Sequence, residues 1–354
     1  MFSSAKPITY PQIYQDYVAK LVGASVPIVL PPTKHGLAIS VPYNIKIFEQ
    51  ATVTNIERDI VGITPTPLAE VDAVFSDFFS ELPLQLFTFD AMSVYQANDQ
   101  VFLHIPQNTP AQEIKITSKY FANTITQFYI LAQSPVTLFI ETKSESCAYV
   151  LEHVHVRGSA PVKIVSVVSA DEQTHIVQKR NITASAKVEM IDVLLSCAYA
   201  KLDVMGNIQT GGDLDTTVLY YAKNEQLFDI YTESHHTQPH GKSNIVTRGA
   251  ISDKAKVLSR GLVKISESAF GCAGYEQQDA LLLSNTAEAD AIPNLEIHNH
   301  DVTCSHGSTI GRVNEEDVFY LMSRGLSKTQ AKAELIRAYF EPVLKDFPEI
   351  SLEL

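Results

Sequence analysis

The sequence predicts a mainly β chain: a parallel β-helix (solenoid) core, with an N-terminal mixed and helical region and a C-terminal helical domain. Three observations carry that expectation. From about residue 86 to residue 308, short β-rich runs follow one another with almost no helix signal. Apolar residues recur at a fixed interval within those runs, and capped amphipathic helices return only after residue 313. The 354 residues divide accordingly into 1–85, 86–313 and 314–354.

The first region holds two helix candidates. The Pro-rich stretch VPIVLPPTKHG between them cannot be one regular element, because proline fixes φ and removes a backbone donor. In the second candidate Thr66 is placed as N-cap and Pro67 as the first helical residue. Leu68, Val71, Val74, Phe75, Phe78 and Phe79 then follow at helical spacing and predict a packed face.

The core runs include QVFLHI, EIKIT, VTLFIE, VKIVSVV, VEMIDVLL and LFDIYTE, separated by Ser, Asp, Asn, Gly or Lys. Val136, Val162, Val188 and Leu214 are each 26 residues apart, and Val150, Ile176, Leu202 and Phe228 repeat with the same interval. A period of that length, with no helix inside it, lets equivalent apolar residues stack from coil to coil. The register breaks after Leu214, as irregular end coils allow.

In the last region Asn314 is placed as N-cap with Asp317 at the third helical position. Val318, Phe319, Leu321 and Met322 follow, and Gly325 is a left-handed stop. Ser327 with Gln330 forms an S-x-x-Q capping box for a second helix, whose apolar stripe is Ala331, Leu335, Ile336, Tyr339, Phe340 and Val343. The simplest role for this pair is to cap the open end of the solenoid.

Composition narrows the function classes. Lys plus Arg total 27 against 40 Asp plus Glu, a formal charge of -13 that disfavours nucleic-acid backbones and anionic lipid surfaces. The start, MFSSAKPITYPQ, lacks a basic stretch followed by an apolar segment, and there is no apolar run of spanning length, so a cytoplasmic protein is expected. Cys147, Cys197, Cys272 and Cys304 form no CxxC pair; reduced thiols are expected, with Cys147 and Cys197 as buried hydrophobes.

The densest set of soft ligands is His298-Asn299-His300-Asp301-Val302-Thr303-Cys304-Ser305-His306. If the run is extended, His298, His300, Cys304 and His306 share one face, yet residues two apart in a strand already lie roughly 6.5 to 7 Å apart, so only a pair could meet at one metal. Histidines 298 and 300 are expected on an exposed strand face, and His235, His236 and His240 in a solvated loop. Gly241-Lys242-Ser243 looks like the tail of a phosphate-binding loop, but His236 stands where that loop needs glycine, so ATP binding is rejected. HExxH, GxSxG and a Rossmann fingerprint are all missing, and no enzyme is expected.

Five segments carry a resemblance to a known family: HHTQPHGKSNIVTRG, LVKI, DALLLSNTAEADAIPNLEI, DVTCSHGSTIG and DVFYLMSRGLSKTQAKAELIRAYF. Together they resemble the SufB/SufD family of iron-sulfur cluster assembly proteins, and ANDQVFLHIPQNTPAQEIKI looks like the start of that family's β-helix. The C-S-H-G-S-T-x-G form resembles the SufD side of the family, since SufB usually carries H-E-A there. Histidines 298 and 300 depart from the family, which more often has Tyr or acidic residues at those places.

The resemblance implies a non-catalytic subunit of a SufBCD-like scaffold complex. It places His306, with Cys304 a weaker candidate beside it, near an interface with a SufB-like partner where an iron-sulfur cluster forms transiently. It implies that the helices from Asn314 to Leu344 dock a SufC-like ATPase, through Asp317, Phe319, Tyr320, Arg324 and Gly325. Self-pairing as a homodimer in isolation is a further expectation, given a free solenoid edge. Two other classes compete. A zinc-dependent hydrolase would use Cys304 and the nearby histidines, and a β-helix carbohydrate lyase or hydrolase would need a coil face of clustered acidic and basic residues.

Overall fold

The computed structural model describes residues 56–76, 99–121, 124–146, 148–348 and 350. The first helix candidate, the Pro-rich connection, Phe78, Phe79 and Cys147 lie outside the described residues.

The described chain is a stack of strands. In order they are β1 (Ile56–Val61), β2 (Asp99–Ile105), β3 (Gln112–Tyr120), β4 (Thr124–Ala132), β5 (Val136–Ser144), β6 (Ala148–Val156), β7 (Val162–Ala170), β8 (His175–Ala184) and β9 (Lys187–Ser196). They continue as β10 (Tyr199–Ile208), β11 (Asp213–Ala222), β12 (Leu227–His236), β13 (Lys242–Ile251), β14 (Lys256–Ile265), β15 (Cys272–Leu282), β16 (Glu288–Ile297) and β17 (Val302–Arg312). Odd-numbered strands form one nine-stranded sheet and even-numbered strands an eight-stranded one. The chain therefore crosses from one sheet to the other at every turn, which makes a parallel β-solenoid of about seven turns. Among the described strands only β1 runs antiparallel, with Ile56 beside Tyr120, at the first edge of the odd sheet.

Side-chain alternation explains why this stack holds. One set of each strand points between the sheets, where Leu103, Ile130, Leu138, Val150, Ile164, Leu202 and Leu214 form a continuous aliphatic core. The first 26-residue series is a true stack, with Val136 beside Val162, Val162 beside Val188, and Val188 beside Leu214. The second is not. Ile176 lies beside Ala148 and Ala200, and Phe228 beside Ala200, so the even sheet advances by 28, 24 and 28 residues. Val150, Ile176, Leu202 and Phe228 share the inward face but sit two positions out of register, and the mean of 26 hides the alternation. After Leu214 the odd sheet steps by 29, 31 and 30, from Leu214 to Ser243, Gly274 and Cys304. The later corners are longer, and His240 and Asp253 take left-handed conformations there (φ 61° and 56°).

The core also contains charge. Arg180 points inward from β8 and bonds both Asp192 oxygens (2.6 and 2.7 Å) across the sheets, as well as the Glu152 carboxylate beside it; all three residues are fully buried. Burial opposes the guanidinium charge, but Asp192 and Glu152 outweigh it and raise the Arg180 pKa.

The helix expected from Thr66 is shorter and starts later. A 3-10 turn spans Leu68–Glu70 and α1 only Val71–Val74; ahead of them the Thr66 N–H donates to the Phe102 carbonyl (2.8 Å) and holds that segment against β2. Phe75 does pack, edge-on to Phe102 at 5.5 Å.

At the other end, α2 (Glu315–Ser323) is capped by Asn314, whose side chain accepts from the Glu316 N–H (3.0 Å). Helix α3 (Lys328–Leu344) has both bonds of the Ser327–Gln330 capping box. The pair does not cap the solenoid. Ile336, Phe340 and the following Phe347 pack on Val165, Ile191, Val193, Leu219 and Ala250, the outward residues of the odd sheet. Lys332 Nζ to the Leu283 carbonyl (2.8 Å) and Arg248 Nη1 to the Tyr339 carbonyl (3.3 Å) fix α3 there. An apolar stripe finds more area along a sheet face than over one coil, and the last coil is left open.

Candidate functional site

The open coil is made of β16 and β17. Inward positions that are buried in earlier coils are here partly or fully exposed, including Ile297 (38%) and Ile310 (46%). Among the described residues strand β17 pairs with β15 on one side only and is the last strand of its sheet, so its other edge presents backbone groups that no described strand pairs.

Cys304 and His306 lie two residues apart on β17 and share its inward face. Cys304 is half-buried in the cluster of Cys272, Val263 and Leu295, and stands beside Gly274, whose missing side chain admits Val263 Cγ1 next to Cys304 Sγ. Burial chiefly raises the Cys304 pKa, the Gly274 backbone bond acting against it and the Cys272 thiol adding to it, so the group is a thiol rather than a thiolate near neutrality. His306 is exposed and lies beside Glu276 in the register. The two present one sulfur and one imidazole to the same open end, an incomplete ligand set for any tetrahedral metal or cluster.

Histidines 298 and 300 do not join them. Both fall in the turn between β16 and β17, and His298 Nε2 bonds Glu296 Oε1 (2.9 Å) in solvent. The extended nine-residue run is broken because the chain changes sheets there. His235 and His236 end β12 rather than forming a solvated loop with His240. His236 is buried, shares a hydrogen bond with Ser243 Oγ (2.8 Å), and is pushed down to about 4 by burial and the neighbouring His235. Gly241-Lys242-Ser243 leads into β13, not a helix, as the rejected phosphate loop would require. Cys197 is buried, its thiol pushed up to about 12. Cys272 is buried too.

Sequence reasoning missed Glu276. It points inward directly under His306, with Oε1 accepting from Gln278 Nε2 (2.5 Å) and Oε2 lacking any partner, and burial raises its pKa to about 7. Gly261 makes room for it, since a Cβ there would fall 1.5 Å from Glu276 Oε1. Thr232, Ser234, Thr247 and Ser259 also face inward with unpaired oxygens. The solenoid interior thus turns from aliphatic to polar as it nears the open end. The step of about thirty residues in the last coils puts Glu276 in one row with Thr216, Ile245 and His306.

The residues of α2 named for partner docking are all exposed: Asp317, Phe319 (72%), Tyr320 (57%), Arg324 and Gly325. The Arg324 guanidinium lies 5.1 Å from the Tyr320 ring centre, and Gly325 takes φ +97° to end the helix. Among the described residues no helix is long and apolar enough to cross a membrane.

The fold and this end coil define the class: a parallel β-solenoid protein with an open terminal coil that carries a thiol and an imidazole. The family described as SUF system FeS cluster assembly, SufBD core domain, matches residues 117–339, and the chain belongs to it. Among similar curated proteins is an iron-sulfur cluster assembly SufBD family protein of Mycobacterium tuberculosis, 36% identical over 135 residues, which are 38% of this chain and 16% of that protein. Another, of Staphylococcus saprophyticus, is 31% identical over 161 residues, 45% of this chain and 34% of that protein. The chain therefore spans a sixth to a third of the length of these relatives, and membership supports a role in iron-sulfur cluster assembly.

Proposed function

We propose that this chain is a SufD-like, non-catalytic subunit of an iron-sulfur cluster assembly scaffold that works in the cytoplasm with a SufB-like subunit and a SufC-like ATPase. The observation that carries the reading is the open end coil. Cys304 and His306 face a surface that the described residues leave uncovered, beside a strand edge that none of them pairs, and together they supply too few ligands to hold a cluster alone. A partner that pairs with β17 covers the exposed apolar residues and brings further ligands to the same place. The nascent cluster is cargo at that seam; no cluster rests tightly on the isolated chain, which can pair with a second copy through the same edge.

The exposed face of α2 is suited to the ATPase, with Phe319 and Tyr320 as apolar anchors and Asp317 and Arg324 as polar ones. Because α3 is bound along the odd sheet by Ile336 and Phe340, force on α2 reaches the coils that carry Cys304 and His306. The zinc-hydrolase reading is not favoured: the family match is to cluster assembly, and His298 bonds Glu296 in the turn before β17 rather than joining Cys304.

The test is His306→Ala in the intact complex, with iron and sulfide measured per complex after anaerobic reconstitution. Loading falls to a small fraction of wild type while subunit stoichiometry is unchanged. Wild-type loading by the variant would remove His306 from the site.

A further inference from the structure

A second constellation lies far from the open coil in chemistry, on the outward face of the even sheet. Strands β6, β8, β10, β12 and β14 are neighbours there, and they wall a cleft of about 270 Å3 with His153, Lys179, Asn181, Asn207, Glu233 and Lys264. That volume is below the roughly 300–1,000 Å3 of drug-sized ligand sites, so a small ion suits it better than a nucleotide.

The wall is built from donors. His153 is 0% exposed, yet its Nε2 has no hydrogen-bond partner. Its Nδ1 faces Asn181 Nδ2 at 3.5 Å; the amide donates to Nδ1, which assigns the ring proton to Nε2. Burial first, and the Lys179 charge second, push the His153 pKa down to about 3 and keep the ring a neutral donor. Stacking on Tyr129, 5.3 Å between ring centres, fixes its direction. Asn207 Oδ1 already accepts from Thr237 Oγ1 (2.9 Å), so the free end of that amide is its NH2 group. Lys264 pairs with Glu296 (2.9 Å) at the margin and brings an ammonium group to the cleft. A buried donor with no acceptor is destabilising unless a ligand or water completes it.

One wall group has the opposite character. The Glu233 carboxylate accepts from Tyr231 Oη (2.7 Å) and retains acceptor capacity toward the cleft. We propose that the cleft binds a small oxyanion that keeps a hydroxyl proton, hydrogen phosphate being the simplest: the histidine, amide and ammonium groups donate to its oxygens, and Glu233 accepts from its hydroxyl. Sulfate has the same shape and charge but no proton to give, so it meets the Glu233 carboxylate with an unpaired oxygen.

The experiment is calorimetric titration of the full chain with sodium phosphate and, separately, sodium sulfate, at pH 7.5 and matched ionic strength. Phosphate binds saturably at one site, and sulfate binds about tenfold more weakly, the loss of one charge-assisted hydrogen bond. His153→Phe, which keeps the stack on Tyr129 and removes the N–H, and Lys264→Gln, at a half-exposed position, each weaken phosphate about tenfold. Glu233→Gln narrows the preference for phosphate over sulfate. Three results overturn the proposal: no saturable phosphate binding; equal affinity for the two anions; or unchanged binding in both His153→Phe and Lys264→Gln, which would mark an adventitious ion only. An unchanged thermal unfolding midpoint of Lys264→Gln ensures that its result reports on the cleft rather than on folding.

Discussion

Arg180 shows how much a single side chain can decide inside this solenoid. Its two carboxylate partners come from different sheets, so the guanidinium ties the sheets together at mid-length, and removing it strands Glu152 and Asp192 as uncompensated buried charge. Arg180→Met is expected to cost about 3–5 kcal/mol, read as a lower urea midpoint, whereas replacing all three residues by apolar ones of similar volume is expected to cost far less. Glu276 gives the complementary case, a buried carboxyl with one unpaired oxygen and a pKa raised from 4.5 to about 7. The folded chain holds this proton more tightly than the unfolded chain, so stability falls as pH rises from about 4.5 to about 7 and is flat above. Glu276→Gln removes that loss. The variant should be more stable than wild type by about 3 kcal/mol at pH 8 and show no such gain at pH 4, by chemical denaturation at the two pH values. At this scale the alternation of β17 was legible from sequence, and it put Cys304 and His306 on one face. The position of Glu276 was not, because its neighbours 30 residues away are visible only once the longer end coils are known.

Elements were read best where their signals are local. The caps depend on residues two or three apart: Asn314 caps α2 through the Glu316 N–H rather than through Asp317 at the third position, and Ser327 with Gln330 makes both bonds that spacing predicts. Asn314→Ala should cost about 1 kcal/mol in the first turn of α2, seen as roughly fivefold faster amide exchange there. Phe319→Ala should leave that exchange unchanged and weaken association with a SufC-like ATPase by at least about tenfold, since an exposed aromatic anchor contributes to binding but not to this fold. Elements read worse when a tertiary contact intervened. The segment ahead of α1 is tied to β2 through Thr66 and Phe102 and enters as a 3-10 turn, and the strand imagined from His298 onward is cut by the crossing between sheets. The destination of α3 was equally out of reach: its stripe predicts a buried face but says nothing of whether that face meets an end coil or a sheet.

For the whole molecule, the solenoid was legible because its odd sheet keeps a strict 26-residue step over four strands, whereas the even sheet, alternating 24 and 28, would have resisted the same reading alone. Among the described residues the architecture has an antiparallel strand at one end and the other left open, with α3 laid along a side rather than across that opening. An open solenoid end with apolar side chains and a bare strand edge is a surface made for another chain. That a partner completes the cluster-forming site at β17 is therefore the central claim, and anaerobic co-purification of the chain from its own cells tests it most directly, with subunits identified and iron and sulfide counted. The account predicts recovery of a SufB-like protein and a SufC-like ATPase with iron and sulfide in the complex, and loss of the SufB-like subunit on Ile310→Lys. Recovery of the chain alone, with stoichiometric zinc and hydrolytic activity, would contradict it.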